Sequence, residues 1–180
     1  VAYHDQQRKQ LLTIAREAVL SAAQGRTLPP VEVEDQELQQ PRGAFVTLKH
    51  DGALRGCIGF VQPLYPLHET VARAAAAAAT QDPRFLPVQL AEVPGLSLEI
   101  SVLTPPQPVE HPDHIEVGRH GLVVRMGSRS GLLLPQVPSE YGWDRDEFLA
   151  HTCLKAGLPT DAWRSGAEIL CFEAEVFGEE

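Results

Sequence analysis

Apolar residues recur at three- and four-residue spacing near the start of the chain, at Leu11, Leu12, Ala15, Ala18, Val19 and Ala22. That period puts them on one face of a helix and predicts one over residues 5–24, with Gly25 placed to end it. A polar, acidic stretch follows, RTLPPVEVEDQELQQPRG, long enough for either a covering loop or a mobile flap. The period then drops to two. Ala44, Val46 and Leu48 alternate with Phe45, Thr47 and Lys49. Asp51-Gly52 marks a two-residue hairpin turn, because both central positions need positive φ. A second helix is predicted from near Pro66, carried by the run Ala74 to Ala79, whose small side chains let a neighbour approach closely. LSLEISVL reads as a strand with Leu96, Leu98, Ile100 and Val102 on one face.

TPPQPVEHPDH is a proline-rich breaker, either a lobe boundary or a long surface loop. Beyond it, HGLVVRM and GLLLPQV read as strands joined by the turn GSRSG. A helix is predicted from Asp144 to about Ala156. Asp144 is the cap, Glu147 sits three residues on, and Gly157 and Pro159 form the stop. The last strand is AEILCFEAEVF, with Leu170, Phe172, Ala174 and Val176 expected on one face. Strands joined by hairpins, with helices before, between and after, predict an α+β fold of mainly antiparallel sheets with flanking helices. There is no βαβ rhythm and no glycine-rich dinucleotide loop.

Composition narrows the function classes. The net charge of −9 argues against a nucleic-acid backbone as the main partner, although a local basic pocket is compatible with it. The three cysteines are odd in number and widely spaced, which is no disulfide framework and points to a reducing, cytoplasmic setting. No stretch approaches the ~20 apolar residues of a membrane span, and the N-terminal segment lacks the layout of a secretory signal.

The stretch with most chemical content is LRGCIG, Leu54 to Gly59. In a strand, Arg55, Cys57 and Gly59 point one way, and Gly56, Ile58 and Phe60 the other. Two readings stand. In one, Cys57 is a small buried residue, Arg55 is paired with an acid elsewhere, and the glycines mark a bulge. In the other, Arg55 favours the Cys57 thiolate or holds an anionic group, and Gly56 and Gly59 leave room for a ligand or another backbone. Glu99, flanked by Ser97 and Ser101, is either a solvated strand residue or a carboxylate sharing a cleft with Cys57, where it pairs with Arg55 or acts as a base. Gln136 offers an amide to orient a ligand, or an ordinary strand-end hydrogen bond. His151 and Cys153 lie two residues apart on a helix, about 200° of rotation, which argues against a shared metal. Cys153 and Cys171 read as packing, and His151 as a surface residue or a cleft lining. The other histidines show no metal-ligand spacing, so no metal site is expected.

GAFVTLKHDGALRGCIG, DPRF, LSLEISVL, GRHGLVV, GLLLPQV and GWDRDEFLAHTCLKAGLP occur in this order over nearly the whole chain. They resemble the AMMECR domain family, whose bacterial and archaeal members are called AmmeMemoRadiSam system protein A and whose signature is LRGCIG. The resemblance implies a single α+β domain, residues 5–178, of two lobes in one structural unit, with the proline-rich connection near 104–113. It also implies two partners, a Memo-like protein and a radical SAM protein. It supplies no reaction, cofactor or oligomeric state. Two functions follow as expectations: a thiol-based catalytic or ligand-binding site at Cys57 in a modification pathway, or a non-catalytic binding module for those partners.

Overall fold

The structure, a computed structural model, describes residues 2–179. Its helices are α1 (Asp5–Ala23), α2 (Leu67–Thr80), α3 (Gln136–Tyr141) and α4 (Arg145–Lys155). Its strands are β1 (Gly43–His50), β2 (Ala53–Phe60), β3 (Leu96–Leu103), β4 (Gln107–Pro108), β5 (His120–Met126), β6 (Arg129–Leu133) and β7 (Glu168–Gly178). The pairs β1–β2, β1–β3, β4–β7, β5–β6 and β5–β7 are all antiparallel, and the fold is α+β. No helix among the described residues is long and apolar enough to cross a membrane.

The chain forms two compact units. The first holds residues through Leu103 and those from Glu175 onward, and the second holds Thr104–Ala174. In the first unit β1 lies between β2 and β3, and the C-terminal end of β7 runs beside β3. There the Glu179 N–H donates to the Leu98 carbonyl at 3.0 Å. The inward residues Ala44, Val46, Leu48, Leu98, Ile100 and Val102 form one core with the apolar faces of α1 and α2. The turn at Asp51 and Gly52 has φ of 49° and 77°, both positive as a two-residue hairpin requires. The loop between α1 and β1 is a cover: Leu38 is fully buried, and Leu28, Val31 and Val33 pack on the core.

In the second unit β5 lies between β6 and β7, and β4 pairs with β7. Helix α4 packs Phe148, Leu149 and Cys153 inward. Asp144 caps it by accepting from the Glu147 N–H at 2.8 Å, while Glu147 accepts in return from the Asp144 N–H. Two expectations are corrected here. GLLLPQV is not one strand, because β6 ends at Leu133 and Gln136 opens α3 behind Pro135, which has no N–H for a ladder. The apolar face of the last strand also fails at Val176, which is exposed while Phe177 is buried. Leu170 and Phe172 serve the second unit, whereas Phe177 joins the first unit's core, so the buried parity changes where β7 passes from one to the other.

Candidate functional site

Cys57 sits on β2, the outer strand of the first unit's sheet. Its register follows from an irregularity. Next to the turn, His50 pairs with Ala53 and Lys49 with Leu54. Further on Leu48 pairs with Gly56 and Thr47 with Cys57, so Arg55 has no partner and forms a bulge. A bulge bends the strand and re-aims side chains. Here it shifts Cys57 from opposite Val46, which faces the helices, to opposite Thr47, which does not.

Thr47 lies between two partners: Cys57 on β2 and Glu99 on β3. Thiol, hydroxyl and carboxylate thus form one rung across three strands on the face away from α1 and α2. The Thr47 hydroxyl donates to Cys57 Sγ at 3.3 Å. Lys49, next along the same face, reaches Glu99 at 3.4 Å, so the partner of Glu99 is Lys49 and not Arg55.

Arg55 does not act on the thiol. Its Nε and Nη2 donate to the two carboxylate oxygens of Glu92 at 3.1 and 3.2 Å, and its guanidinium carbon lies 5.9 Å from the Phe85 ring centre. The side chain is 16% exposed, and Nη1 is buried without a hydrogen-bond partner. This pairing holds the Glu92 carboxyl below its ordinary range, with help from the Gln89 N–H. The cation whose field reaches Cys57 is Arg84.

Arg84 is placed by Asp82, whose side chain is 2% exposed. Asp82 Oδ1 accepts from the Arg84 backbone N–H at 3.1 Å and from its Nε at 3.0 Å. Oδ2 accepts from Arg84 Nη2 at 2.7 Å and from the Cys57 backbone N–H at 3.0 Å. One carboxylate therefore ties the edge of β2 to a guanidinium. The Arg84 hydrogen bonds hold Asp82 far below the usual carboxylate range against its burial.

Burial pushes the partly buried Cys57 thiol above its ordinary value. The Thr47 hydrogen bond and Arg84 oppose this, and Asp82 and Glu99 add to it. This upward direction, with Arg55 paired to Glu92, runs against the reading in which Arg55 stabilises a thiolate and agrees with the one in which Arg55 is paired with an acid elsewhere.

The two glycines are filled from within the protein. A Cβ at Gly56 would run into the Ala78 carbonyl oxygen of α2, and one at Gly59 into the Phe45 ring and the Ala44 carbonyl. Gly56 admits a helix and Gly59 an aromatic ring, so neither leaves space for a ligand. Gln136 and His151 belong to the second unit. Gln136 is the first residue of α3, and the His151 ring stacks on Trp143 with centroids 3.8 Å apart and planes 3° from parallel. Cys153 is fully buried, and Cys171 packs against the second unit's core. No group of three or more His, Cys, Asp or Glu side chains arranged to hold a metal occurs among the described residues.

Thr47, Asp82 and Arg84 are site residues that the sequence reading missed. All three lie in the segments GAFVTLKHDGALRGCIG and DPRF that carry the family resemblance, but nothing in their spacing ties them to Cys57.

Comparison with known proteins places the chain in a family. The AMMECR1 family model matches residues 12–177. A protein of Methanopyrus kandleri is 51% identical over 94% of this chain and 87% of its own length. One of Methanocaldococcus jannaschii is 49% identical over 83% of this chain and 79% of its own. The crystal structure of an uncharacterised protein from Pyrococcus horikoshii superposes with a TM-score of 0.89 at 48% identity, covering 95% of this chain and 90% of that one. The chain therefore belongs to the AMMECR1 family.

Proposed function

We propose that the outer face of the first unit's sheet is a ligand site centred on the Cys57 thiol, which rests neutral and is deprotonated only with a substrate in place. The observation that carries this reading is the rung Cys57–Thr47–Glu99, with the Thr47 hydroxyl 3.3 Å from the sulfur. Directly opposed residues on neighbouring strands have Cβ atoms about 4.5–5.5 Å apart. With the Thr47 hydroxyl turned to accept from S–H and donate to Glu99, the thiol proton passes to that carboxylate as sulfur displaces a leaving group from an electrophilic carbon, and the leaving group departs with the electron pair of the broken bond. Burial holds the thiol neutral until then, which protects it from indiscriminate oxidation. Family membership supports a setting in a cytoplasmic modification pathway with a Memo-like protein and a radical SAM protein. The unpaired state of Cys57, Cys153 and Cys171 fits a reducing compartment.

The test is site-resolved alkylation of Cys57 by iodoacetamide across pH in a Cys171→Ser background. The expected profile rises at a pH above that of a free thiol. No reaction at any pH short of unfolding would remove the thiol reading. Cys57→Ser is expected to abolish pathway output while leaving fold and partner binding intact.

A second reading has its own support. Glu92 occupies Arg55, and burial pushes the Cys57 thiol above its ordinary value, as suits a binding module without chemistry. That reading requires both the partner complex and the pathway output to survive Cys57→Ser.

A further inference from the structure

The two guanidiniums near Cys57 differ in what they leave free. Both bind a carboxylate through Nε and Nη2, and both lie against the Phe85 ring, at 5.9 Å for Arg55 and 5.5 Å for Arg84. Arg55 is 16% exposed and its Nη1 is sealed from solvent. Arg84 is 54% exposed. Asp82 takes the side edge of the Arg84 fork, and the end-on edge, formed by Nη1 and the second N–H of Nη2, has no hydrogen-bond partner among the described residues. That edge matches the two oxygens of a carboxylate or phosphate.

The position is tied to the thiol. Asp82 Oδ2 receives both Arg84 Nη2 and the Cys57 N–H, so guanidinium and strand meet at one atom. The fork is also held before any ligand arrives. Its carboxylate is buried, its backbone N–H is anchored to the same carboxylate, and an aromatic ring supports it. Arginine loses less freedom per hydrogen bond when its plane is already set. Nearby negative charge is partly offset, since Lys49 is paired with Glu99.

We propose that Arg84 is the oxyanion-binding residue of the Cys57 face, and that the ligand carries a carboxylate or phosphate, held end-on by Arg84, beside the group presented to the sulfur. This rests on the reading of that face as a ligand site and assigns to Arg84 the anion-holding role that LRGCIG suggests for Arg55.

Iodoacetate and iodoacetamide test it, since they deliver the same carbon to the same thiolate, displace the same iodide and differ by one carboxylate. In a Cys171→Ser background, Arg84→Gln is expected to lower the iodoacetate-to-iodoacetamide rate ratio at Cys57 by about fivefold, the scale of one charge-assisted contact at a half-exposed site. Arg55→Gln is expected to leave the ratio unchanged. An unchanged ratio in Arg84→Gln, or a larger fall in Arg55→Gln, overturns the assignment. With Arg84 intact, acetate or inorganic phosphate is expected to slow iodoacetate selectively, and the stronger competitor identifies the oxyanion. Equal slowing of both reagents, or of neither, counts against the site. If Cys57 reacts with neither reagent, the thiol reading fails by itself. The anion site then stands or falls on whether the Arg84 Nε–H resonance shifts saturably with acetate or phosphate.

Discussion

Replacing Gly56 with alanine separates two explanations of the LRGCIG glycines. A Cβ there would lie 3.2 Å from the Ala78 carbonyl carbon and inside the 3.0 Å limit that real Cβ contacts essentially never breach at the Ala78 oxygen. Both atoms are helix backbone and cannot rotate away. Relief needs α2 to retreat by about 1 Å, and a gap of that size forfeits roughly a quarter to a half of the dispersion well at each contact it opens. The face that would lift carries Leu67, Val71, Ala74, Ala75 and Ala78, all buried. The cost falls at the upper end of overpacking penalties, about 3 kcal/mol. With a urea dependence of about 2 kcal/mol/M, the unfolding midpoint drops by about 1.5 M. Far-UV circular dichroism is the right readout, because α1 and α2 supply 19 and 14 helical residues against 6 and 11 in α3 and α4. Both tryptophans, Trp143 and Trp163, lie in the second unit, so their fluorescence reports on that unit separately. A wild-type midpoint combined with lost Cys57 reactivity would refute the packing argument and restore a ligand to that space.

Four further outcomes follow from the same geometry. Thr47→Val removes the hydrogen bond that opposes burial, so Cys57 is expected to titrate higher and alkylate more slowly at about pH 8. Glu99→Gln removes a charge that raises the thiol and is expected to move the alkylation profile to lower pH, because iodoacetamide takes the thiolate already formed in solution and does not draw on Glu99 as proton acceptor; shifts of the opposite sign in the two pH–rate profiles would sink the rung. Asp82→Ala leaves the Cys57 N–H and the Arg84 fork without their acceptor and is expected to cost about 3 kcal/mol near neutral pH. Asp82 titrates below its ordinary 3.8 in the folded protein, so its contribution is present above that value and is lost as pH falls through the folded pKa. Urea midpoints of wild type and Asp82→Ala should therefore converge in strong acid, and a gap independent of pH would contradict this. Gly52→Ala meets no atom within 4 Å but sits at φ 77°, so it is expected to cost about 1 kcal/mol through backbone strain alone, measured by the same titration.

What the sequence reveals and what it hides divides along the range of the forces involved. Helix α1, the Asp51-Gly52 turn, strand β3 and the Asp144 cap all depend on residues within a few positions of each other, and each is legible. The bulge is not. Counting back from a two-residue turn would set Thr47 opposite Gly56 and Cys57 opposite Val46. Only the extra residue at Arg55 brings Cys57 against Thr47, and nothing local to Arg55 announces it. The glycines depend on Ala78 and Phe45, the first of them 22 positions further along the chain. Arg55 and Arg84 look alike in sequence, and which one is sealed depends on where Glu92 and Asp82 fold back. Gln136 was misplaced because an apolar run carried the strand pattern past Leu133, although Pro135 stood at the end of it.

The carboxylate at the rim of β2 also bears on self-association. A strand at the margin of a sheet offers unpaired amides to any other extended chain, and proteins that leave them bare tend to grow by accretion. At Cys57 that amide is already taken by a buried aspartate clamped to an arginine. A second molecule would have to evict a charge before it could add a strand there. Neutralising Asp82 should therefore turn a tolerated margin into a seed for fibrils as well as lowering stability.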